Sequence, residues 1–253
     1  FFSEEAVEGC FSDKTLKFRD FGLHGITYFA HLDPATSSHN YALVIAHKEV
    51  FFDFEQHKKD WKIVVDHIKY WTPSPGKPIV VDEVDEYVAS LNFKFCFGLV
   101  TYDHFNSQTS IAKLRKKGIP TKMTAYNKQY KNLIYDNLYQ IAIQKRLLIP
   151  NHLLLKNEML NLQRKWLDSG FKVYPRKDGD VTTDDLCDAL AGACYNCIEK
   201  ELSRLPQGRL VSVPVIGSGN DIVWRSMSGQ PYGIGPGGQV ARNLERRSQQ
   251  YPR

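Results

Sequence analysis

Three runs of apolar residues open the patterned part of the chain, at positions 25–32, 41–50 and 61–71. Each is short and rich in β-branched side chains, so each reads as a strand. The charged stretch 52–60 reads as a hairpin turn, and Thr72-Pro73-Ser74-Pro75-Gly76-Lys77-Pro78 as a loop. Val81, Val84, Val88 and Leu91 then recur at helical spacing, which predicts an amphipathic helix over 81–92. A fourth strand is expected at 95–102, a helix at 107–117 closed by Gly118, and a fifth strand at 119–124. Helices follow at 126–145 and 152–165, the latter capped by Asn151. Residues 165–176 alternate around Asp168-Ser169-Gly170 and read as a hairpin, and 184–202 as a last helix.

This order, a meander of three strands followed by strands joined through helices, predicts an α/β fold. Its five-stranded mixed sheet has three antiparallel strands, then parallel ones, with helices on both faces and an added hairpin. In such a sheet the first strand can lie beside the fourth. Asp33 and Asp103, each at the end of its apolar run, would then be neighbours at one sheet edge. The helix opening at Asp184, Asp185 and Asp188 could cover the same edge.

Carboxylates gathered this way suit Mg²⁺ or Mn²⁺, which prefer oxygen ligands, and a pair of such ions can hydrolyse a phosphodiester. Asp33 is the bridging candidate and Asp103 a flanking one; Asp185 and Asp188 share a helical face, with Asp184 beside them. His31 and His104 flank the first two aspartates and read as packing or supporting residues. No P-loop, Gly-x-Ser-x-Gly or HExxH pattern occurs. Gly233-x-Gly235-x-x-Gly238 contains Pro236 and lacks a flanking strand and helix, so it does not read as a dinucleotide site. Cys194-x-x-Cys197 lies mid-helix without further metal ligands nearby and reads as packing. Five irregularly spaced cysteines suit a reducing compartment.

The net charge of +5 resides entirely in residues 203–253, where seven arginines face only Asp221 and Glu245. Residues 1–202 are neutral overall, yet no acid occurs between Asp103 and Asp136. Lys113, Arg115, Lys116, Lys117, Lys122, Lys128 and Lys131 all fall in that gap. A basic block after a metal-type aspartate suits a polyanion such as DNA, although a solvated helix face looks the same. No apolar stretch approaches the ~20 residues that span a bilayer.

Leu32-Asp33-Pro34-Ala35, the strand-terminal Asp103, and Asp184-Asp185-x-x-Asp188-Ala189 before Leu190-Ala191-Gly192-Ala193 resemble a known family. It is the C-terminal nuclease domain of the large terminase subunit, the DNA-packaging motor of tailed bacteriophages and herpesviruses. The resemblance covers residues 22–202 and implies an RNase H-like fold and a metal-dependent endonuclease that cuts concatemeric double-stranded viral DNA. It implies Asp33, Asp103 and one of Asp184 or Asp185 as catalytic metal ligands, with Asp185 preferred and Asp188 auxiliary, holding two ions. The hairpin resembles the family's auxiliary hairpin beside the nuclease cleft. Thr36-Ser37-Ser38-His39-Asn40 stands where many members have a Gly and a further acid. By the same resemblance residues 1–21 are a leader from a preceding ATPase domain and 203–253 a basic extension. The implied partners are the procapsid portal and the small terminase subunit, in the host cell cytoplasm and away from any membrane. A RuvC-like resolvase, a transposase-type nuclease and a catalytically silent DNA- or portal-binding module are the alternatives.

Overall fold

The computed structural model describes residues 1–103, 107–124, 127–167, 170–179, 181–204, 213–216 and 222–225. The chain divides into two compact units, Phe1–Leu202 and Ser203–Arg253. In the first, β1 (Tyr28–Asp33), β2 (Tyr41–Asp53), β3 (Lys58–Trp71), β4 (Phe97–Tyr102), β5 (Thr121–Met123) and β6 (Leu147–Leu148) form one sheet in the order β5-β4-β1-β2-β3-β6. β1–β2–β3 is antiparallel, whereas β4, β5 and β6 pair in parallel with β1, β4 and β3. The mixed sheet is as the patterning predicts, with one strand more. Leu147-Leu148 is a two-residue strand between helices, too short to show a period of two.

Among the described residues six helices accompany it: α1 (Glu4–Cys10), α2 (Val81–Leu91), α3 (Gln108–Lys116), α4 (Lys128–Ile143), α5 (Leu153–Asn161) and α6 (Asp185–Arg204). The strands point alternate side chains to opposite faces. Tyr28, Ala30, Leu32, Leu43 and Ile45 pack under α2 and α3, while Phe29, Val44, Ala46, Ile63 and Val65 pack under α1, α4, α5 and α6. With both faces covered, Tyr41–His47 of β2 is buried along its whole length. Cys194 and Cys197 are packing residues in the core beneath α6.

Three local expectations change. Within the residues expected as a leader, α1 is capped by Ser3, and Phe2, Val7, Cys10 and Phe11 sit in the core. Those apolar positions are separated by acids, which hides the face in a short helix. α5 is capped by His152, whose Nδ1 accepts from the Leu155 amide at 3.2 Å, instead of by Asn151. The helix stops at Asn161, because the hairpin of β7 (Leu162–Leu167) and β8 (Gly170–Pro175) begins at once. The hairpin's turn residues Asp168 and Ser169 lie outside the described residues.

Asp66 is the extra residue of a bulge in β3, opposite the Ile45–Ala46 step of β2. Fully buried, it accepts from Arg19 Nε at 3.0 Å and pairs with His47 Nδ1 at 2.5 Å. These contacts tie the segment before β1 to the sheet.

In the second unit the described residues form one antiparallel pair, β9 (Val213–Ile216) with β10 (Ile222–Arg225). The Gly233–Gly238 motif and most of the arginines lie outside the described residues. Among the described residues no helix is long and apolar enough to cross a membrane.

Candidate metal centre

Parallel pairing of β1 with β4 sets Leu32 opposite Tyr102, so each aspartate follows one step beyond. The Asp103 amide donates to the Leu32 carbonyl at 3.1 Å, fixing the two strand ends against each other. α6 supplies the third station. Its first turn crosses the same edge, with Asp188 N bonded to Asp184 O at 2.8 Å. Asp33, Asp103, Asp184, Asp185 and Asp188 line one cavity of about 850 Å³ together with His31, His39, Lys128 and Lys131. All five predicted metal residues therefore come together.

α6 reaches this position by docking on β1 through small residues. Ala189, Gly192, Ala193 and Asn196 recur at helical spacing and are all buried. A Cβ on Gly192 would stand 2.2 Å from His31 Cγ, so the ring of His31 fills the space that glycine leaves. Asn196 Nδ2 donates to Thr101 Oγ1 at 2.6 Å and to the Ala30 carbonyl at 3.1 Å. Thr101 Oγ1 in turn lies 2.7 Å from His31 Nδ1. Burial holds His31 down at about 4, so the imidazole facing the acids is neutral near pH 7.

The acids of α6 face two ways. Asp185 Oδ2 accepts from the Asn40 amide at 2.9 Å and from Asn40 Nδ2 at 3.1 Å, and His39 Nδ1 lies 3.6 Å from Oδ1. Asp188 accepts from Tyr135 Oη at 2.5 Å and from Lys131 Nζ at 2.8 Å. Behind them the fully buried Glu158 of α5 accepts from Thr183 Oγ1 at 2.8 Å and from the Cys187 amide at 3.0 Å, bracing the first turn.

Burial, then repulsion from Asp188, Asp185 and Asp103, pushes the Asp33 carboxyl well above the usual carboxylate range. Asp184 rises to about 6 for the same reasons, against the pull of Lys131. Excess negative charge on hard oxygen donors is the chemistry that Mg²⁺ or Mn²⁺ relieves, so the donor set fits such an ion. Among the described residues, no three His, Cys, Asp or Glu side chains already grip one point together. Asn40, Tyr135 and Lys131 hold carboxylate oxygens that would have to turn.

Glu158 is pushed up to about 7 by burial. Above its ordinary value of 4.5 the unfolded chain has released a proton that the folded chain retains. Stability is therefore full on the acid side and is lost as pH rises toward 7. Asp184 and Asp33 act in the same direction. His31, held down by burial, acts the other way below about pH 6.5, so the expected result is a difference: relative to Glu158→Gln, the metal-free wild type should lose a few kcal/mol between about pH 5 and pH 8 in urea titrations. Parallel pH profiles of the two proteins would contradict the charge assignment of Glu158.

The basic block does not form one face. On α3 and at its C-cap, Lys113 bonds Asp82 and Lys117 bonds Glu86 at 2.6 Å, while Arg115 Nε donates to the Thr121 carbonyl at 2.8 Å. Lys116 and Lys122 are exposed, and Lys128 and Lys131 line the acid cavity. His104 lies outside the described residues. Sequence reasoning missed Asn40, Tyr135, Glu158 and Asn196. Glu158 left a signal, since it holds an apolar-phase position beside Leu155, Met159 and Leu162.

The sheet order, the helices on both faces and the separate hairpin define an RNase H-like α/β domain. More narrowly, it is the fold of large-terminase nuclease domains. The large terminase nuclease from thermophilic phage G20c, solved with bound magnesium, superposes with a TM-score of 0.54 at 15% identity, covering 75% of this chain and 94% of that one. The HK97 bacteriophage large terminase gives 0.59 at 14% identity, over 77% of this chain and 43% of its own. The Thermus phage P74-26 large terminase nuclease domain gives 0.54 at 13% identity, over 74% and 91%. No protein-family model matches the sequence, and no curated protein matches it at a significant level.

Proposed function

We propose that the chain is a divalent-metal-dependent endonuclease of the large-terminase kind, cutting concatemeric double-stranded viral DNA during genome packaging. The observation that carries this reading is the convergence of Asp33, Asp103 and the Asp184–Asp188 turn on one cavity, on the fold of terminase nucleases. The G20c nuclease, solved with magnesium and also with cobalt, supports a divalent ion here. Asp33, Asp103 and Asp185 would hold Mg²⁺ or Mn²⁺, which when bound supplies a nucleophilic water and charge stabilisation at the departing oxygen.

The protein's own part is to fix the backbone that carries these carboxylates. Strand pairing fixes Asp33 and Asp103, and Asn40 and Glu158 fix the α6 turn. Exposed Lys116 and Lys122, and Lys128 at the cavity, are the phosphate contacts of this reading, with low sequence preference. An ATPase domain, the portal and the small terminase subunit are the partners that go with this reading, in the host cell cytoplasm. Purified protein should cut linear duplex DNA in Mn²⁺ or Mg²⁺, with EDTA abolishing cleavage. Cutting confined to four-way junctions would point instead to a resolvase, and metal-independent cutting would overturn the reading.

A further inference from the structure

Lys131 sits in sequence among cations that read as DNA contacts, yet its ammonium points inward. It lies 2.8 Å from Asp188 Oδ2 and 3.7 Å from Asp184 Oδ2. One turn along the same face of α4, Tyr135 donates to the other oxygen of Asp188. Tyr135 is fully buried, so turning Asp188 away would strand a phenol hydroxyl without a partner. Both oxygens of Asp188 are thus committed to α4. Asp185 is committed the other way, to Asn40 and His39 of the loop between β1 and β2. The acids of α6 therefore form two seats, and one of them already holds a positive charge.

An ammonium in contact with one carboxylate oxygen and close to a second occupies the space and satisfies part of the charge that would draw a small divalent ion. We infer that Lys131 is a built-in cation that fills the Asp184–Asp188 half of the cleft. Divalent metal is thereby kept off the Asp184–Asp188 pair, and Asp185, held by Asn40 and His39, is the acid of that turn left to it. The inference rests on the metal-dependent reading above and makes Lys131 a positioning residue, not a DNA contact. It also separates the five acids by role. Asp184 and Asp188 hold Lys131 and Tyr135, which leaves Asp185 of that turn for a metal.

Mn²⁺ binding followed by electron paramagnetic resonance tests this on wild type, Lys131→Met, Lys131→Arg and the double variant Lys131→Met/Asp188→Asn. Lys131→Met should bind an additional Mn²⁺ that wild type does not, and its thermal midpoint should rise more on adding Mn²⁺. Lys131→Arg, which restores the charge, should titrate like wild type, and the double variant should lose the additional ion. Identical titrations of wild type and Lys131→Met overturn the inference, whether or not either protein cuts DNA. If wild type binds no Mn²⁺ but Lys131→Met gains an ion that Asp188→Asn removes, the inference stands. In that case the resting seat at Asp33, Asp103 and Asp185 is wrong. If no variant binds Mn²⁺, both fall. Should Lys131→Met fail to fold, Lys131→Gln keeps a donor toward Asp188 without the charge and is read in the same way.

Discussion

Asp33→Ala is expected to reduce metal-dependent cleavage of linear duplex DNA by about a thousandfold or more, while the protein remains folded. The carboxylate ends a central strand whose backbone is bonded on both sides, to β2 and to β4. Its position is therefore set by the sheet, and no neighbouring acid can take its place without breaking strand pairing. The same substitution should raise stability in EDTA near neutral pH. Asp33 is disfavoured as a charge by burial and by Asp188, Asp185 and Asp103, and removing it relieves that repulsion. The two readouts move in opposite directions, which distinguishes loss of a metal ligand from loss of fold. Single-turnover cleavage in Mn²⁺ and urea unfolding in EDTA measure them. Wild-type cleavage by Asp33→Ala would show that the chemistry lies elsewhere.

Gly192→Val should be the most destabilising single change near the site, by about 3 kcal/mol or more. Even a bare Cβ would lie 2.2 Å from the His31 ring, and His31 is fixed through Thr101 to Asn196. Neither the ring nor the helix can give way without breaking that chain of bonds. α6 would have to move off β1, taking Asp185 and Asp188 away from Asp33, so cleavage should fall with stability. Urea unfolding of Gly192→Ala, His31→Ala and the pair closes a double-mutant cycle. The pair should recover much of what Gly192→Ala loses. Additive effects would mean that ring and helix do not press on each other.

Asp33 and Asp103 were legible because each ends an apolar run, and strand ends are the part of a sheet that composition marks most clearly. Their adjacency follows from the strand order, which the alternation of strands and helices also implies. Other features were hidden for physical reasons. The packed face of α1 spans only seven residues and is interrupted by acids. β6 is shorter than the period that would reveal it. The basic block was misleading because a charge count along the chain carries no direction. Lys113 and Lys117 turn toward acids of α2, and Lys131 toward acids of α6. In α6 the DDxxDA pattern named three candidates without separating them, since the division depends on Asn40 and Tyr135, which precede their partners by 145 and 53 residues.

The bond from Asn40 to Asp185 joins residues 145 positions apart, and that from Asn196 to Ala30 joins residues 166 apart. The sheet can assemble with only two of the five acids at its edge. The other three arrive together on a single late segment, so the electrostatic strain of the cleft is concentrated in the landing of one helix. A divalent ion that bridges the two sides would then serve as a staple for that helix, and metal affinity and helix docking become two readings of one equilibrium.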